Sequence, residues 1–303
     1  TLNQLSVDLN EWKISWKELT KEVGPAFAQQ VSNISKDSFG SVEENFHEYA
    51  GLIYDGAFSE HMTSAVQKGL TGDEIDENTA KDIAVNFFGS DFIKDIKSNG
   101  LTQNANIDSY NFTITSKDND LVWIDISKKG GHIVSMNSNR SVNAEVVSQE
   151  DIDKMMEDYL SQKGFKNMKR TYFTKNNGIE TINYAYEQNG VIMYPDLIKV
   201  KVALDNGEVL GIETTGYLNS HSERSLPEIK VSKDQAIAKI NKKLEVLAVD
   251  LAVIPTEFKT ELMCWEIKGK IDDREFLVYI NVETGKEEDI LVILNSSEGT
   301  LTM

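Results

Sequence analysis

Six places in the sequence carry residue types that could do chemistry. His47-Glu48-Tyr49-Ala50-Gly51 reads like the first half of a helical zinc-protease motif. That chemistry needs a second imidazole one helical turn on, and Gly51 stands there instead. The chain's four histidines are His47, His61, His132 and His221, and none is spaced to chelate with another. Asp118-Asn119-Asp120 begins like a calcium loop, lacks the glycine at the sixth position and runs into a strand pattern, so it reads as a hairpin turn. Ser220-His221-Ser222-Glu223 sets serine beside histidine, yet a triad is assembled in space and no glycine elbow surrounds either serine. Cys264, the single cysteine, lies in the apolar run Leu262-Met263-Cys264-Trp265 and reads as a small buried hydrophobe. Carboxylates such as Asp272-Asp273 and Glu287-Glu288-Asp289 read as turn and strand-end residues. With 49 acidic side chains, carboxylate pairs alone carry no glycosidase signal. There is no phosphate-cradling glycine loop. No catalytic residue, metal ligand or cofactor site is therefore expected.

The elements that would position these residues fall into two parts. In residues 1–70, Leu2, Leu5, Leu9, Trp12, Trp16, Leu19 and Val23 alternate three and four apart, an a/d helical seam. Gly24-Pro25 stops it, Phe27, Val31 and Ile34 continue the spacing, and Ser41 with Glu44 marks another helix start. The span reads as a small antiparallel bundle. The seam could instead pair with a second chain, so a homodimer is open.

From residue 71 the pattern becomes α+β and repeats. One helix is predicted over about 78–90, with Ile83, Phe87 and Phe88 on its apolar side. A second opens at Ser148 and carries Ile152, Met155, Met156 and Tyr159; a third opens at Ser232 and carries Ala236, Ile237, Ile240 and Leu244. Period-2 strands follow each helix: 110–115 and 121–126; 181–187, 198–204 and 208–213; 261–270, 275–281 and 288–294. Near the end of each unit a polar pair and a glycine make a hairpin, at Gly131, Gly207 and Gly285. The predicted parts are 1–70, 71–144, 145–226 and 227–303, the last three each a helix packed on a small antiparallel sheet.

Charge narrows the partners. There are 31 Lys+Arg against 49 Asp+Glu, a formal charge of −18 over 303 residues, spread along the whole chain. Nucleic acid and anionic membranes both reward clustered positive charge, so neither is an expected partner. No apolar run reaches the 18 or so residues that span a bilayer. The chain opens at Thr1 in a helical pattern, so any membrane segment is expected to precede it.

Two stretches carry a resemblance. Leu52-Ile53-Tyr54-Asp55-Gly56-Ala57-Phe58-Ser59-Glu60-His61, and the C-terminal run from Tyr279 to Ile290 with the end Gly299-Thr300-Leu301-Thr302-Met303, resemble the YpeB family of spore germination proteins. The α+β units look like PepSY modules. The resemblance implies a non-enzymatic protein of endospore-forming bacteria, with an N-terminal membrane segment, at the interface of the spore inner membrane and the cortex. It implies a partner, the spore cortex-lytic enzyme SleB, a peptidoglycan lytic transglycosylase. PepSY modules also occur in protease propeptides, which leaves a protease inhibitor as the alternative and a cortex hydrolase as a remote one. Candidate interface residues are Tyr54, Asp55, Phe58 and His61 in the linker, and Trp123 and Trp265 on open sheet faces. Core packing is the plainer role for each aromatic.

Overall fold

The structure, a computed structural model, describes residues 67–102, 106–256, 258, 260–296 and 299–302. The predicted bundle and the linker residues Tyr54, Asp55, Phe58 and His61 lie outside them. The described residues belong to one compact unit, Asp55–Met303.

The described residues alternate helices with runs of antiparallel strands, four, four and five in turn. Helix α1 (Glu77–Phe88) is followed by β1 (Ile93–Thr102), β2 (Ser109–Ser116), β3 (Leu121–Ser127) and β4 (Ile133–Ser138). Next come α2 (Gln149–Gln162), β5 (Met168–Asn176), β6 (Ile179–Gln188), β7 (Val191–Ala203), β8 (Val209–Glu213) and a short α3 (Thr215–Ser220). Last come α4 (Lys233–Ile237), β9 (Glu245–Pro255), β10 (Glu261–Ile271), β11 (Arg274–Asn281), β12 (Glu287–Ser296) and β13 (Gly299–Thr302).

The starts of α1, α2 and α4 are written in their capping residues. The side chains of Asp76, Ser148 and Ser232 accept from the backbone N–H of Thr79, Asp151 and Gln235. This satisfies donors that a helix N-terminus otherwise leaves orphaned. Positions four and eight residues after each cap are buried: Ala80 and Ala84, Ile152 and Met156, Ala236 and Ile240. Seven residues after each cap stand Ile83, Met155 and Lys239. A Cβ added to Gly131, Gly207 or Gly285 would press into those same three side chains. The three hairpin glycines also have φ of 66°, 77° and 68°. The left-handed turn thus calls for glycine at all three positions, and at Gly131 the Ile83 side chain of the overlying α1 adds a second constraint. One backbone bond spans each turn: Ser127 N–H to His132 O, Ala203 to Glu208, and Asn281 to Lys286.

The strands do not form three small sheets. They join one 13-stranded sheet in the order β1-β2-β3-β4-β8-β7-β6-β5-β13-β12-β11-β10-β9. The separate sheets read from the sequence are corrected here: β4 pairs with β8 and β13 pairs with β5, so hydrogen bonds cross every unit boundary. A further parallel pairing sets Val191–Met193 of β7 beside Leu251–Val253 of β9. With it, β7, β6, β5, β13, β12, β11, β10 and β9 close a ring. Closure pairs the Leu251–Val253 part of the edge that β9 would otherwise present.

Two further corrections follow. The third helix is cut to five residues, and the turn after it carries Ile240 and Leu244 into the same core. The strand that the Gly131 hairpin returns into is β4, whereas β1, β5, β9 and β13 are not legible as alternation. The edge strand β1 has no fully buried position, so its sequence is not held to period 2.

Replacing Gly131 with alanine is expected to destabilise the fold by about 2 kcal/mol or more, since the left-handed φ alone costs about 1–2 kcal/mol. The Gly285→Ala change should cost less, because Lys239 can swing aside while half-buried Ile83 cannot. Urea denaturation of both variants checks the order.

Candidate functional site

The even-numbered side chains of the first sheet segment face the helices. Phe112, Ile114, Val122 and Ile124 are fully buried with Ala80, Ala84, Ile152 and Met156 in one core. The odd-numbered side chains therefore form the opposite face. There Thr113, Trp123 and Asn137 lie in register across β2, β3 and β4, and Asn111, Asp125 and Ser135 form the next row. Asn111 Nδ2 donates to Asp125 Oδ1 at 2.8 Å, and Ser135 Oγ to Asp125 Oδ2 at 2.7 Å. Asn99 of β1 donates to Asn111 and Thr113, and Lys201 of β7 to Asn137. The result is a polar, hydrogen-bonded face that spans six strands, from β1 to β7. Trp123 is 39% exposed on it, beside Leu121 at 36%.

Trp265 sits differently. It is half-buried, packs with Val231, Val249 and Ile267, and donates its indole N–H to Val231 O at 2.8 Å. The covering segment before α4 makes it a packing residue rather than part of an open face.

A buried ion-pair network crosses from the second unit to the third. Asp196 is fully buried. Arg224 grips it with two bonds of 2.8 and 2.7 Å, and grips Glu261 of β10 with two more of 2.7 and 2.9 Å. Gln188 holds the backbone of Arg224 through both its N–H and its C=O. His221 adds a bond from Nδ1 to Asp196 at 2.8 Å, and its ring stacks on Tyr217 with centroids 4.0 Å apart. Burial would lower the guanidinium's pKa, but hydrogen bonds and charge from Glu261 and Asp196 raise it, so Arg224 stays charged. Two carboxylates bridged by one arginine are a clamp, not an acid–base pair. Sequence reasoning missed this network, whose members are scattered over three elements. His221 had no signal beyond its place in a polar linker.

Inside the ring, Tyr172, Tyr194, Ala252, Cys264, Leu277 and Tyr279 pack together. Among them is Glu266, which accepts from the Tyr279 hydroxyl at 2.7 Å. Burial pushes its pKa above the ordinary 4.5, with hydrogen bonds from Tyr194 and Tyr279 opposing the shift. A raised carboxyl is what a general acid needs, but Glu266 lines neither the cleft around Lys68 and His132 nor the one around Phe88 and Met155. Cys264 is fully buried and burial pushes its thiol up to about 12, so at neutral pH it carries no thiolate. Asn119, at φ 70°, turns the Asp118–Asp120 segment tightly between β2 and β3, and Asp272, at φ 53°, does so between β10 and β11. Among the described residues no cluster of three His, Cys, Asp or Glu could hold a metal ion. No helix among them is long and apolar enough to cross a membrane.

Helices laid on one face of an extended antiparallel sheet, with a polar, hydrogen-bonded opposite face, define an α+β protein with an open sheet surface. Comparison with known proteins agrees. Residues 230–291 match the family model described as peptidase propeptide and YPEB domain. Residues 35–227 match that of YpeB sporulation, PepSY1 and PepSY2 domains. The chain belongs to the YpeB sporulation protein family. It is 33% identical over 277 residues to sporulation protein YpeB of Bacillus subtilis, covering 88% of this chain and 60% of that protein. It is 29% identical over 279 residues to that of Oceanobacillus iheyensis, covering 91% and 61%. The solved Bacillus megaterium YpeB C-terminal domain superposes with a TM-score of 0.67 at 27% identity, over 74% of this chain and 100% of that one. The chain thus spans about 60% of the length of these relatives.

The Glu266→Gln variant is expected to flatten part of the pH dependence of stability. A carboxyl whose folded pKa is raised contributes stability fully present below its unfolded value, lost as pH rises toward the folded value. Wild type should therefore lose stability relative to the variant as pH climbs upward from about 4.5, the ordinary carboxyl value. Urea titrations at a series of pH values test this, and parallel curves would count against it.

Proposed function

We propose that this chain is a non-enzymatic spore protein that stabilises, localises or restrains the cortex-lytic enzyme SleB. The observation that carries the reading is membership of the YpeB sporulation family across most of the chain. The open polar face with Trp123 at its centre supplies a surface for a partner. In this reading the three helix-plus-strand units, 71–144, 145–226 and 227–303, are three PepSY modules. An N-terminal membrane segment holds the body at the interface of the spore inner membrane and the cortex. The −18 charge suits a body kept off an anionic bilayer.

A second reading, a protease inhibitor, is favoured by the peptidase-propeptide description of the family model matching residues 230–291. The two separate cleanly. The first expects the full-length protein to pull down SleB and protect it from proteolysis, with Trp123→Ala weakening capture by about tenfold, the scale of one interface aromatic. The second expects stoichiometric loss of activity in a protease assay. Neither capture nor protection by the full-length protein would refute the first. Release of muropeptides by the purified chain alone would revive a hydrolase.

A further inference from the structure

A cleft of about 560 Å³ opens where the ends of α1 and α2, the first glycine hairpin, α3 and the segment 68–71 meet. That size suits a small ligand. Its chemistry departs from that of the chain as a whole. Lys68, His132, Lys163 and His221 line it, and no aspartate or glutamate does, in a protein carrying 49 acidic residues. Phe87, Phe165 and Tyr217 supply apolar walls.

Lys163 is the central group. Its Nζ donates to Phe87 O at 2.8 Å and lies over the Phe87 ring, 4.0 Å from the centroid, with the Tyr159 ring at 5.6 Å. Among the described residues no carboxylate pairs with it. Burial lowers its pKa below the ordinary 10.5, with nothing raising it back. One donor of its three is used, so two remain for a ligand. The two histidines are already oriented, His132 by Thr71 O at 2.7 Å and His221 by Asp196. Phe87 and Lys163 also line a second cleft of about 330 Å³, otherwise mostly apolar, with Phe88, Phe92, Met155 and Tyr159. Lys163 therefore stands where a cationic hollow meets an apolar groove. A half-buried ammonium without a counter-charge is incompletely compensated. A ligand anion would complete it.

We propose that this cleft binds a small amphipathic carboxylate, its anion on Lys163 and its apolar body against Phe87, Phe165 and Tyr217. Two sources share that chemistry, a free organic acid and the C-terminal residue of a peptide. Calorimetric titration of the full chain with 3-phenylpropionate, its amide, and N-acetyl-Gly-Gly-Phe as acid and as amide tests it. Each acid should bind at least about tenfold more tightly than its amide, the scale of one charge-assisted hydrogen bond. Lys163→Gln should remove that preference and Lys163→Arg should keep it. Tighter binding of the tripeptide acid assigns a chain terminus, and tighter binding of phenylpropionate a free acid. Equal binding of acids and amides, no binding of either acid by wild type up to about 10 mM, or an unchanged preference in Lys163→Gln would overturn the proposal. Should Lys163→Gln fail to fold, the acid–amide comparison in wild type and Lys163→Arg still decides it.

Discussion

Strand β7 changes partners along its length, and the architecture depends on that change. Its first residues, Val191–Met193, pair with β9, and its later residues, Lys199–Val202, pair with β8. Between them the β6 register skips Tyr194, Pro195 and Asp196. Proline has no N–H to lose at such a break. Tyr194 joins the ring core, while Asp196 is held by Arg224. One interruption thus closes the ring through the first half of β7, continues the sheet toward β1 through the second, and anchors the clamp between units.

The clamp explains how a polar linker can cross between two sheet segments. Ser222–Leu226 carries few apolar side chains, yet Arg224 is nearly enclosed and satisfied by Asp196, Glu261 and Gln188. Burying the Asp196 carboxylate with a guanidinium is costly unless the geometry is bidentate, and both that contact and the one to the more exposed Glu261 are. Specificity of docking between the second and third units is the gain. The same Asp196 orients His221, which connects the junction to the cationic cleft beside α3.

The helix-on-hairpin contact is the local device repeated through the unit. Helices α1, α2 and α4 are each capped by a side-chain oxygen, and the residue seven positions after each cap lies against a hairpin glycine. The helices cover one sheet face with a continuous core in the first two units. Period-2 alternation then leaves the other face polar, with Trp123 exposed by parity. The open surface is thus a consequence of where the helices lie.

The sequence by itself determined the local elements. Ser148 and Ser232 cap where their spacing to Asp151 and Gln235 says they should, Gly131, Gly207 and Gly285 turn, and the alternating runs around Phe112, Ile124 and Ile198 are strands, because each rests on contacts within a few residues. The same locality made the short edge and irregular strands illegible, since β1 has no fully buried side to impose alternation. Only the tertiary structure decided that three units share one sheet, that β7 forks, that Trp265 is covered while Trp123 is not, and that Asp196, Arg224 and Glu261 meet. Those outcomes depend on pairing between strands far apart in the chain, and neither periodicity nor capping carries information about which distant strand a given edge will find.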